Sequence, residues 1–230
     1  MCLDIDDTLV AFTAAGRWAL ATMIRRDDLW GEWERTTDRF VAMVVAGELE
    51  YAQMHEQRTR CFLDDLGIAI DASSVAEFEL RRRDLQRGGW RLFDDVLPCL
   101  DWLCAAGVRI AAVTNASGAH QRAKLADLGL ARFFDHVAIA GEVGLAKPDP
   151  RMFHSVCLAA GCDPSEAVHV GDKLDTDAIG ARDAGLAAVW LDRAESSMDA
   201  PAAVHVISGL GELPQLLVSE FTKVGVPVPR

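Results

Sequence analysis

From residue 98 onward the sequence alternates short apolar runs with segments of helical length. Residues 108–114, 137–140, 167–170, 187–191 and 204–207 are dense in Val, Ile and Ala and read as strands. Residues 98–106, 120–128, 151–160 and 176–184 read as helices, and each is followed by a glycine, Gly107, Gly129, Gly161 or Gly185. A glycine in that place adopts the left-handed conformation that ends a helix without a Cβ clash. Strands that alternate with helices in this way build right-handed βαβ units and a parallel sheet. Runs apolar on both faces are those of strands covered on both sides. Ligands bind such sheets beyond the carboxyl ends of the strands, so the residues just past each run are where chemistry is expected.

Residues 1–3 form one more apolar run, which leads into Asp4-Ile5-Asp6-Asp7-Thr8. Buried strands usually have ~5–6 residues, so either this strand is short or the natural start lies upstream of Met1. On a strand Asp4 and Asp6 point to the same side. Two carboxylates so placed raise one pKa or call for a cation. One can then act as nucleophile and metal ligand while the other serves as general acid and base. The Thr8 hydroxyl can tie down the turn.

Between this segment and the alternating region, residues 12–87 carry apolar residues at helical spacing with no strand-like interruption. Gly47 and Gly67 mark helix ends, and Asp71 or Ser73 can cap the last helix. Gly88-Gly89 is the expected return. The expected organisation is therefore α/β, a Rossmann-like doubly wound parallel sheet core formed by residues 1–11 and 89–230, with an all-helical domain inserted at 12–88. The Pro-rich stretch 226–230 is expected to fray.

Three further strand ends carry polar groups. After the second strand stand Thr114 and Asn115, whose hydroxyl and backbone N–H groups can grip a phosphate oxygen. After the third comes Gly144-Leu145-Ala146-Lys147-Pro148, in which Lys147 can offset charge on a nucleophilic Asp and on a transferring phosphoryl group. After the fourth comes Gly171-Asp172-Lys173-Leu174-Asp175-Thr176-Asp177, an acidic turn suited to a hard cation. Asp172 is the best-placed ligand there, Asp177 the next, and Asp175 a helix cap.

The chain has 230 residues and a formal net charge of -12. No long basic block offsets that charge, so nucleic acid and anionic membrane surfaces are not expected partners. A phosphorylated small molecule is compatible, because a metal ion and one lysine reverse the sign locally. The six cysteines show no CxxC or zinc-finger spacing and read as core thiols in a reducing cytosol. Asp4 interrupts any signal-peptide apolar region, and no apolar run approaches the ~20 residues of a membrane span. A cytoplasmic enzyme is the expectation.

In chain order Asp-x-Asp-x-Thr, Thr-Asn, Lys-Pro and Gly-Asp-x-x-x-x-Asp, each at a strand end, resemble the haloacid dehalogenase-like hydrolase superfamily. Residues 92–98 and 142–148 look like text of the same family. The helical insert resembles the cap of the branch that includes small-molecule phosphatases. The resemblance implies that Asp4 attacks phosphorus to give an aspartyl-phosphate. Asp6 then protonates the leaving alcohol and activates water. It also implies Mg²⁺ held by Asp4, the Asp6 backbone carbonyl, Asp172 and Asp177, with Thr114, the Asn115 amide and Lys147 on the phosphate. The reaction implied is hydrolysis of a nucleotide, flavin or sugar phosphate. A phosphomutase would use the same residues. A 2-haloacid dehalogenase shares the nucleophile but, as a family, lacks the second Asp of the first motif, which this chain has as Asp6. A non-enzymatic binding module would be expected to have lost one of these groups. Trp18, Trp30, Trp33, Tyr51, His55, Arg58 and Arg60 are candidates to line the substrate cleft, although aromatics at this spacing are more often helix core.

Overall fold

The computed structural model describes residues 1–196 and 198–221, without the side chains of Val45, Tyr51 and Ala52. The frayed stretch expected at 226–230 and any contact of the Tyr51 side chain lie outside the described residues. In chain order the elements are β1 Cys2–Leu3, α1 Phe12–Ile24, α2 Trp30–Val45, α3 Tyr51–Asp65, α4 Ala72–Gly88, α5 Val96–Ala105, β2 Ala111–Thr114 and α6 Gly118–Asp127. There follow β3 His136–Ile139, α7 Ala140–Val143, α8 Pro150–Ala160, β4 Val168–Gly171, α9 Gly180–Asp183, β5 Ala187–Leu191, β6 Val204–Ile207 and α10 Leu213–Leu216. The chain divides into two compact units, Met1–Ala11 with Arg91–Arg230, and Phe12–Trp90. No helix among the described residues is long and apolar enough to cross a membrane.

The first unit holds a six-stranded sheet in the order β3-β2-β1-β4-β5-β6, with every neighbouring pair parallel. The strand order reverses at β1, which pairs with β2 on one side and β4 on the other. That reversal is the switch point at which doubly wound sheets open a crevice past their carboxyl ends. β2 and β4 are buried throughout, as their uninterrupted apolar runs require. On one face Val113, Met152, Phe153, Val156 and Trp190 form part of a single apolar cluster that seats α8 against the sheet.

Two elements differ from the sequence expectation. β2 begins at Ala111 rather than at residue 108, because the preceding backbone groups are spent elsewhere. The Val108 N–H bonds back to the Leu103 carbonyl at the end of α5, and the Ile110 N–H donates to the Asp135 carboxylate at 2.9 Å. The second difference is at Leu174–Ile179, a π-helical turn in place of the start of a regular helix. The wider winding lets both Asp177 and Ala178 donate to the Lys173 carbonyl, and it carries the Asp177 side chain inward, where it is buried. Such turns are rare in helices and are frequent at functional sites.

The second unit consists of α1 to α4. Its apolar core contains Leu20, Leu29, Trp33, Phe62 and Leu63, with Trp33 and Phe62 edge-to-face at 5.0 Å. Asp71 caps α4 by accepting from the Ser74 N–H at 2.8 Å. Beside the apolar core lies a buried ionic cluster. Glu79 accepts from Arg58 at 3.0 Å, Thr59 at 2.8 Å, and Arg82 through Nε at 2.9 Å and a terminal nitrogen at 2.8 Å. Both guanidinium groups stack on Trp33, at 4.2 and 4.8 Å from the ring centre. Trp33 and Arg58 therefore belong to the interior of the helical unit, while Trp18 and Arg60 are exposed and Trp30 and His55 half-buried.

Candidate active site

The strand ends at the sheet's switch point gather the acidic residues of the sequence motifs. Asp4 continues the ladder past β1, its N–H donating to the Val170 carbonyl at 2.9 Å. Its buried carboxylate accepts from the Lys147 ammonium at 2.6 Å, and the same ammonium donates to Asp177 at 2.6 Å. Lys147 itself is only 5 % exposed. Its segment is anchored by Asn115, whose side-chain amide donates to the Lys147 carbonyl at 2.7 Å and accepts from the Lys147 N–H at 2.8 Å. The Asn115 side chain thus pairs with backbone, and a phosphate contact from this residue would fall to its main-chain N–H.

Asp172 is linked to the first motif through Thr8. The Asp172 N–H donates to the Thr8 hydroxyl at 3.1 Å, and that hydroxyl donates to the Asp172 carboxylate at 3.3 Å. The Thr8 carbonyl accepts from Arg193 at 2.9 Å, and Arg193 forms a bidentate pair with Asp95. Asp177 is aimed by three donors. Besides Lys147 these are the Lys173 N–H and His169 Nε2, each at 3.1 Å. His169 is fully buried. Gly171 leaves room for Asp177: a Cβ at that position would lie 2.3 Å from the Asp177 Cγ. Asp175, by contrast, is exposed and caps nothing.

One carboxylate oxygen from each of Asp4, Asp172 and Asp177 lies within 4.8 Å of the others. Burial, followed by the nearby Asp177 and Asp172 charges, drives the Asp4 pKa well above the carboxylate range against the pull of Lys147. Burial and the charges of Asp177 and Asp7 likewise raise Asp172. Burial works against ionisation of Asp177 too, but Lys147 and His169 prevail and hold it below its ordinary value. Lys147 would be lowered by burial, yet Asp4 and Asp177 keep it firmly charged. One ammonium cannot neutralise three carboxylates, two of them buried and the third, Asp172, half-buried. The donor set is all oxygen, closely spaced and short of positive charge, which fits a hard divalent cation.

Asp6 is not part of that trio. Its carboxylate pairs with the Lys124 ammonium through one oxygen and accepts from Gln121 Nε2 at 3.3 Å through the other. The same Gln121 nitrogen donates to the Thr114 hydroxyl at 2.8 Å. Lys124 and Gln121 are fully buried on α6. Burial lowers the Lys124 pKa, opposed by Asp6, Asp4 and Asp7. Sequence reasoning missed both residues, and it missed His169 as a partner of Asp177. A signal existed: Gln121, Lys124 and Leu125 occupy the i, i+3, i+4 positions of one helix face, so two polar residues sit on a buried stripe.

The sequence matches the haloacid dehalogenase-like hydrolase family over residues 1–185. The chain belongs to that family. Within it, the chain is 31% identical over 191 residues to a glyceraldehyde 3-phosphate phosphatase of Methanopyrus kandleri, covering 83% of this chain and 82% of that one. It is 42% identical over 114 residues to a phosphoserine phosphatase of Thermus thermophilus, a stretch covering 50% of this chain and only 45% of that protein. In fold it is similar to a magnesium-bound hydrolase of the family, YfnB of Bacillus subtilis, with TM-score 0.80, 23% identity, and 94% of this chain and 97% of that chain covered. As a family hydrolase the chain is an enzyme with named phosphatases among its relatives.

Proposed function

We propose that this hydrolase is a magnesium-dependent phosphatase of small phosphomonoesters, such as nucleotide, flavin or sugar phosphates, working through an aspartyl-phosphate. The observation that carries the reading is the junction of Asp4, Lys147 and Asp177, with Asp172 alongside, from three segments far apart in the chain. Asp4 is the nucleophile. Lys147 and the Thr114 hydroxyl, together with the Asn115 backbone N–H, bind the phosphoryl oxygens. Asp6, set apart from the trio, gives a proton to the leaving alcohol as the P–O bond breaks and takes one from water as the acyl phosphate is hydrolysed. Asp4, Asp172 and Asp177, with the Asp6 backbone carbonyl, would hold Mg²⁺, which supplies charge neutralisation for a metaphosphate-like transition state. The helical unit serves as the cap that selects the substrate.

Dehalogenation would need neither a protonated leaving group nor a cation, so it leaves Asp6 and the Asp172–Asp177 pair without a role. The test is phosphate release from a panel of phosphomonoesters with and without Mg²⁺. Turnover that needs the metal and disappears in Asp4→Asn is the expected result. Chloride release from 2-chloropropionate without metal, and no phosphate from any ester, would overturn the reading.

A further inference from the structure

Asp6 needs a fixed direction to do its work, yet its own attachment does not provide one. It sits in a tight turn, flanked by Asp7 at φ 60°, and its side chain keeps 26% exposure. A carboxylate in such a place can swing toward solvent at little cost. What meets it is an ammonium with no exposure at all. A lysine buried to that degree is costly to keep unless its charge is matched. Lys124 also lies one helical turn from Gln121, so α6 presents both to the strand ends as one rigid face. The Gln121 side-chain NH2 donates both to the Asp6 carboxylate and to the Thr114 hydroxyl. A hydroxyl whose oxygen accepts from Gln121 keeps its own O–H to donate to an anion.

We propose that Lys124 and Gln121 are positioning residues that clamp the Asp6 carboxyl and the Thr114 hydroxyl in the attitude needed to serve the leaving group and the phosphoryl oxygen. The inference rests on the reading of Asp6 as the acid that protonates the departing alcohol. In that step Asp6 enters protonated: its proton passes to the ester oxygen while the P–O bond breaks and the bond from Asp4 to phosphorus forms, and the Lys124 ammonium matches the Asp6 carboxylate that results. The clamp keeps the carboxyl within reach of that oxygen and out of water. An alkyl ester depends on this proton, whereas p-nitrophenolate leaves without it.

The discriminating measurement is kcat/KM, which reports the steps up to loss of the alcohol, on p-nitrophenyl phosphate and on the best alkyl phosphate of the panel. Asp6→Asn sets the scale, since general acid assistance contributes roughly 10²–10⁴-fold. Lys124→Met keeps the stem and removes the charge. It should lower kcat/KM on the alkyl ester about tenfold or more beyond any loss on the aryl ester, moving toward Asp6→Asn. Gln121→Met carries the same expectation and decides the matter if Lys124→Met does not fold. Equal losses on both esters in these variants, with Asp6→Asn still selective, would overturn the inference and leave the phosphatase reading intact. No phosphate release by the wild-type protein removes the phosphatase reading and this inference together, and no selectivity in Asp6→Asn removes the acid role of Asp6 and with it this inference.

Discussion

Gly171 ends β4, and its lack of a side chain is what lets Asp177 turn back toward Asp4. In Gly171→Ala the new Cβ would sit 2.3 Å from the Asp177 Cγ, 2.5 Å from a carboxylate oxygen and 2.6 Å from its Cβ. Ordinary contacts at a Cβ begin at 3.4 Å, so the Asp177 side chain must retreat by about 1 Å. It cannot retreat freely, because Lys147, His169 and the Lys173 N–H hold it from other directions. Overpacking of this kind costs about 1–3 kcal/mol. A displacement near 1 Å in a catalytic constellation costs on the order of 10²-fold in rate. Urea unfolding and kcat/KM for the best phosphomonoester are the paired assays. The expected result is a folded protein, a few kcal/mol less stable at most, with kcat/KM reduced about 100-fold. A variant within threefold of wild type would refute the claim that Gly171 is there to make room for Asp177.

The ionic cluster of the helical unit makes a prediction about stability and pH. Arg82, Arg58 and Thr59 outweigh burial and depress the Glu79 carboxyl from 4.5 to about 2, a difference worth about 3 kcal/mol in favour of the ionised form. Glu79→Gln strands two buried guanidinium groups and should cost about 3–5 kcal/mol near neutral pH, read by urea denaturation. Because the folded pKa is depressed, this contribution is present above about pH 4.5 and is lost as pH falls toward 2. The gap between wild type and variant should therefore close in acid, and a gap that stays constant from pH 7 to about 3 contradicts the assignment. Asn115→Ala removes both hydrogen bonds that anchor the Lys147 segment and should lower kcat/KM about tenfold or more while keeping the main-chain N–H proposed to meet the phosphate. Unchanged kinetics in that variant would mean that the segment is held by other contacts.

Much of this site was legible because its chemistry sits at strand ends, and buried parallel strands announce themselves as apolar runs. Asp4, Lys147, Asp172 and Asp177 were all named on that basis, and the structure brings them together. The residues that hold them were harder to see. His169 lies within a buried strand, where a single histidine resembles any core residue until Asp177, eight residues further along the chain, is placed beside it. Gln121 and Lys124 look like the polar face of an ordinary helix unless the buried stripe is traced residue by residue. Asn115 was read for its backbone, and only the fold shows its side chain tied to Lys147. The helical insert was correctly read as helical, but helical spacing alone does not tell a core tryptophan from a cleft one. Trp33 went inward, with two arginines stacked on it.

In the proposed mechanism Asp4 and Asp172, from segments far apart in the chain, share one divalent cation. Calorimetric titration with Mg²⁺ tests it most directly, on wild-type protein and on Asp4→Asn and Asp172→Asn. The expected result is one site per chain in the wild type and binding weakened at least about tenfold in both variants. Equal affinity in all three proteins would contradict it.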